Sequence, residues 1–111
     1  MDLSAERVAK NDMAFRDANE RIRGAAAGHG IAERVPFICE CADPGCTQIL
    51  QLSLAEYEMI RTQPRCFLHA VGHHTEEHEM VVEEKPGYAV VEKVGRAGIL
   101  VDELDSHARG S

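Results

Sequence analysis

The spacing of hydrophobic and polar positions changes several times along the chain, and each change predicts an element. Val8, Phe15 and Ile22 recur every seven residues, Ala5, Ala18 and Ala25 fill neighbouring seam positions, and the remaining surface is charged. That spacing predicts one helix over Ser4–Ala27 with a narrow apolar stripe. Ser4 offers an N-cap, no proline follows until Pro36, and Gly28-His29-Gly30 supplies a stop. A stripe this narrow, with Asn11 on its seam, suits packing on the chain's own domain or docking on a partner helix.

From Val35 to Cys41 the period drops to two. Phe37, Cys39 and Cys41 fall on one face and Ile38 and Glu40 on the other, as in a strand. Asp43-Pro44-Gly45 is a tight-turn sequence, and Gln48–Leu52 reads as the antiparallel return. Ser53-Leu54-Ala55-Glu56 matches a capping box opening a short helix with Leu54, Tyr57 and Ile60 inward, ending before Pro64. Arg65–His78 reads as a loop anchored by Phe67 and Leu68. Met80–Glu84 and Tyr88–Val94 read as a hairpin about Lys85-Pro86-Gly87. Residues 96–104 fit a helix or a strand equally, and the end of the chain is expected to fray. The expected fold is therefore α+β: an N-terminal helix over 1–30, an α+β domain over 31–105 built on a small antiparallel sheet with one short helix, and a disordered tail over 106–111.

Composition changes this picture in one respect. The hydrophobic fraction is 44%, but with no Trp, three Phe and two Tyr much of it is Ala and Val. So modest a core calls for a staple. Three thiols lie within eight residues, Cys39, Cys41 and Cys46, and the turn between them can bring them together. Thiolates clustered in this way, with imidazoles downstream, suit a tetrahedral metal. The C-x-C-x4-C spacing is tighter than the common C-x2-C knuckle. The fourth ligand is to be found among His69, His73, His74, His78 and Cys66, with His73 the first choice because Gly72 lets the backbone approach closely just before it. The expected cofactor is one Zn2+ per chain, stapling the sheet; an iron–sulfur cluster taking Cys66 as fourth ligand is the alternative. His29 and His78 are otherwise expected to be solvated.

These residues also form a pattern. Cys39-Glu40-Cys41 with Cys46, Leu52 with Glu56-Tyr57, Phe67-Leu68, Gly72-His73 and the later Gly87–Lys93 resemble a group of small bacterial zinc-binding proteins of actinobacterial type. Phe15–Ile22 fits as well, so the resemblance spans roughly residues 11–94. It implies a fixed role for His73 and brings no activity with it.

Charge narrows the function classes. Residues 1–34 hold six acids and six bases, whereas 35–111 hold thirteen acids and six bases, which accounts for the net −7. An acidic metal-bearing part repels phosphate backbones, so nucleic acid is disfavoured as a partner, including through Arg16, Arg21 and Arg23. No apolar run reaches the roughly 18 residues of a membrane span, and the N-terminus lacks the features of a signal peptide. A cytoplasmic location is expected, where thiols stay reduced. The leading expectation is a regulatory or protein-interaction module that contacts another protein, or a second copy as a homodimer, through the N-terminal helix or the acidic face. A thiol-based redox or metal sensor, with Cys66 as resolving thiol, is the alternative. A zinc hydrolase using Glu40, Glu76 or Glu77 as base ranks lower, because H-E-x-x-H and the deaminase signature are absent and these acids read as a solvated face.

Overall fold

The computed structural model describes residues 4–41 and 43–109, the last four of these by their backbone alone. The fold is α+β, as the hydrophobic pattern predicts. Helix α1 spans Ala5–Gly28, with the Ser4 hydroxyl accepting from the Arg7 N–H at 3.2 Å. It ends in a Schellman motif: Gly30 takes φ 71°, and the Ile31 N–H returns to the Ala26 carbonyl at 2.8 Å. Strand β1 (Val35–Ile38) pairs antiparallel with β2 (Ile49–Leu52), setting Phe37 opposite Leu50 and Val35 opposite Leu52 on the buried face. The expected strand thus stops at Ile38, and the cysteines follow it. Helix α2 (Leu54–Arg61) opens on the expected capping box, and its Tyr57 ring stacks on Phe37 at 4.3 Å between centroids.

A second sheet has the order β3-β5-β4, all antiparallel, from Cys66–His69, Tyr88–Lys93 and Glu79–Lys85. The hairpin β4–β5 is the one expected. Strand β3 stands where a loop was expected: its four residues are all buried, so the alternation that marks a half-exposed strand is missing. The ambiguous segment after it is helix α3, Gly95–Arg109. That helix carries the backbone of residues 106–109 in place of the expected tail; 110 and 111 lie outside the described residues.

The three-stranded sheet separates two cores. On one face Cys66, Leu68 and Val90 meet Phe37, Leu50, Leu52, Tyr57 and Ile60. On the other Phe67 and Val91 meet Ala9 of α1 and Val101 of α3, flanked by Met13, Leu100 and Leu104. The inner face of α1 departs from the expected stripe. Val8 is buried, but Phe15 and Ile22 are only half-buried, and Asp12, Arg16 and Asn19 are buried instead.

Each of these polar side chains has a partner across the fold. The Lys93 ammonium, fully out of water, lies 2.7 Å from Asp12 and also bonds Glu79, whose other oxygen is 3.7 Å from His69 Nδ1. Arg16 donates to the Pro64 carbonyl at 2.8 Å and to that of Cys66, with its guanidinium 3.6 Å above the Phe67 ring. Burial pushes the Asp12 carboxyl up to about 7 against the pull of Lys93. Burial likewise drives the His69 imidazole down to about 3, with the Lys93 charge acting in the same direction.

Candidate metal centre

Cys39 and Cys41 follow the end of β1, two residues apart, and their sulfurs belong to one donor group. The turn then works as its residues suggest. The Cys46 N–H donates to the Asp43 carbonyl at 3.0 Å, and the Gly45 N–H to the Asp43 side chain at 2.9 Å. Cys46 is thereby returned to the other two sulfurs. From the far side comes His73, on a turn after β3 closed by its own N–H to the Ala70 carbonyl at 3.1 Å. Gly72 takes φ 85° in that turn, and a Cβ built there would meet nothing within 4 Å. The left-handed backbone is what requires glycine, not the close approach expected from sequence.

The three sulfurs and one histidine nitrogen all lie within 4.8 Å of one another. His73 Nδ1 is 3.6 Å from Cys46 Sγ and 3.8 Å from Cys39 Sγ. A tetrahedral zinc with sulfur at about 2.3 Å and nitrogen at about 2.0 Å would set its ligand atoms roughly 3.5–3.8 Å apart. The four residues are positioned to hold one metal ion. Cys39 and Cys41 are buried, Cys46 is half-buried and His73 is exposed, so the site reaches the surface at Cys46 and His73.

Electrostatics fit a cation there. Cys39 accepts the Ala70 N–H at 3.1 Å, and the backbone N–H groups of Asp43 and Gln48 face Cys41 and Cys46. Such N–H groups favour thiolate. The hydrogen bond between Cys41 and Cys39 lowers the Cys39 thiol and raises that of Cys41, while burial raises Cys46. Crowded thiols divide unequally in this way because thiolates held side by side repel, and a shared cation removes the conflict.

The remaining sequence candidates are placed elsewhere. His69 is fully buried beside Glu79, and His69, His74 and His78 all lie outside the group. His78, expected to be solvated, is buried. Cys66 is buried against the first core, where desolvation raises its thiol. It is outside the cluster, which leaves the iron–sulfur alternative without its fourth sulfur and the sensor reading without that resolving thiol.

Glu40 is the residue the sequence reading undervalued. It does turn away from the sulfurs, as alternation predicts, yet it is fully buried instead of solvated. Its carboxylate accepts from Asn19 Nδ2 at 2.9 Å, the Tyr57 hydroxyl at 2.6 Å and the Leu68 N–H at 2.9 Å. Asn19 also brackets Ile38, donating to its carbonyl at 2.8 Å and accepting its N–H at 2.9 Å. A carboxylate committed to three donors and facing away from the metal is not placed to act as a base there. The available signal was that the strand's second face, Ile38 and Glu40, needed a cover, and α1 supplies it. No family model matches the chain, and comparison with curated proteins and with solved structures gives no match either.

Proposed function

We propose that the protein is a zinc-stapled interaction module, with one structural Zn2+ held by Cys39, Cys41, Cys46 and His73. The observation that carries this reading is the convergence of four donor atoms within 4.8 Å. Three thiolates and an imidazole are a structural zinc set, and four protein ligands fill a tetrahedron without leaving a position for water. The ion fixes the knuckle and, through it, the core of β1, β2 and α2. All four cysteines are free thiols, in keeping with a reducing, cytoplasmic setting. Among the described residues no helix is long and apolar enough to cross a membrane. Because α1 turns Val8, Asp12, Arg16 and Asn19 into its own domain, the partner surface we favour is the acidic face. Elemental analysis with native mass spectrometry on untagged protein is the test. One zinc per chain, colourless, supports the reading, and the same spectra give the oligomeric state. Iron with visible absorbance, or no metal, defeats it.

Half-exposed Cys46 favours a second reading, a redox sensor. Peroxide would take two electrons from the thiolates of Cys46 and of Cys39 or Cys41, and two protons from solvent, giving one disulfide and two waters and releasing the ion. Zinc that stays bound, with an unchanged thiol count, after mild peroxide treatment defeats that reading.

A further inference from the structure

We propose, on the basis of the zinc reading above, that the metal holds the second half of α1 in place through Glu40 and Asn19, so that losing the ion undocks that half while the first half stays on the second core. Glu40 lies between two ligands. With both neighbouring sulfurs on one ion, the backbone at residue 40 is fixed and the side chain is directed under α1. There its carboxylate meets one donor from α1, one from α2 and one from β3. Asn19 ties the same helix to both backbone groups of Ile38.

The two halves of α1 have separate anchors. Ala9 and Met13 pack in the second core with Phe67, Val91 and Val101, and Asp12 pairs with Lys93. Beyond Arg16 the helix is held by Asn19, by Glu20, which accepts from Arg61 Nε of α2 at 2.7 Å, and by Ile22 and Ala26, which pack on the first core. That core is the one the knuckle closes.

A carboxylate entirely out of water is held only as long as its backbone is held. Once the ion leaves, Cys39, Cys41 and Cys46 are no longer drawn together, and Glu40 regains hydration if the segment turns outward. Asn19 and Tyr57 then lose their shared partner, and the helix from residue 19 onward loses its polar tether to β1. The first half stays on the second core. Metal occupancy is thus converted into exposure of Ile22, Ala26 and the surface beneath them.

Hydrogen–deuterium exchange on the full chain, zinc-loaded and after chelation with thiols kept reduced, tests this. Amides of residues 20–28 are expected to exchange at least about tenfold faster without zinc, while residues 9–13 and the β4–β5 hairpin keep their rates. Asn19→Ala should still bind one zinc, yet show fast exchange over 20–28 in both states. Glu40→Gln should behave likewise, and serves if the first variant does not fold. Slow exchange over 20–28 after zinc loss, or a zinc-dependent difference that persists in the variants, overturns the proposal. Simultaneous loss of protection everywhere also overturns it, since the ion would then staple the whole fold. A chain that takes up no zinc defeats this proposal and the zinc reading together; zinc bound with unchanged exchange defeats the proposal alone.

Discussion

Replacing Lys93 by Met removes the single cation between two buried carboxylates. At 2.7 Å and an effective dielectric of about 20, the Asp12–Lys93 attraction is roughly 6 kcal/mol. Much of that offsets the cost of taking the ammonium out of water, a cost the variant does not bear. Methionine restores the volume and lies near Phe67, whose ring centroid is 5.3 Å from the Lys93 nitrogen. What remains are Asp12, which must bind a proton or stay charged without its cation, and Glu79, which keeps the Thr75 N–H, and the expected loss is about 3–5 kcal/mol above neutral pH. The pH dependence follows from Asp12, whose carboxyl titrates at about 7 in the folded chain against 3.8 as a free group. The folded chain binds the extra proton between those values. Stability from this group is therefore full below the lower one and is lost as pH rises through the higher. Without Lys93 the main influence lowering that carboxyl is gone, so the variant's deficit is largest above about pH 7 and shrinks towards about pH 5. Urea unfolding of both proteins, metal present at every pH, measures the difference and cancels acid effects common to both. A deficit under about 1 kcal/mol above neutrality, the size of a surface pair, would refute the argument. So would one that widens on acidification.

Four further outcomes follow from individual residues. His73→Ala should weaken zinc binding by more than the roughly 10–100-fold that loss of an outer-shell partner costs, measured by competition with a chromogenic chelator. Arg16→Met orphans two carbonyls, those of Pro64 and Cys66, and should cost about 3 kcal/mol in urea unfolding. Arg16→Lys should recover little, since one ammonium cannot cover both carbonyls and the Phe67 ring. Gly72→Ala should lose about 1–2 kcal/mol from its left-handed backbone alone, a loss that asparagine eases. Gly98→Ala should also destabilise although alanine favours helices, because its methyl would sit 2.7 Å from the Lys93 carbonyl oxygen; asparagine there should be no better.

The elements legible in the sequence are those whose signal is local. Ser4, Gly30, the Ser53–Glu56 box and the Pro86-Gly87 turn act within a few residues of themselves, and each ends or starts an element where expected. The thiol cluster was legible for the same reason, because Cys39, Cys41 and Cys46 surround one turn. The missed features depend on distant cover. Strand β3 has no alternation because helices and a second sheet bury it from both sides. The inward face of α1 was misread because Asp12, Arg16 and Asn19 count as polar in any periodicity, and only the partners across the fold make them interior residues. Cys66 was given a place near the site by its position in the chain, and its strand carries it to the first core.

The polar inner face of α1 bears on how a small chain specifies one structure. A helix docked by a stripe of Val and Ala can turn or slide by a residue at modest cost, because such contacts are not directional. Asp12, Arg16 and Asn19 fall three and four residues apart, on one face, and each needs a different partner: an ammonium, two carbonyls with a ring, and the strand end at Ile38 with Glu40. Rotation of the helix by one residue strands all three in a dry interior, each at a cost of a few kcal/mol. These partners come from β5, from the start of β3 and from the knuckle, so the rotation of α1 depends on three separate parts of the fold. Of the three, the knuckle is the one that carries four donors placed to hold a metal ion, so on the proposal above the docking of the second half of α1 follows what those donors hold.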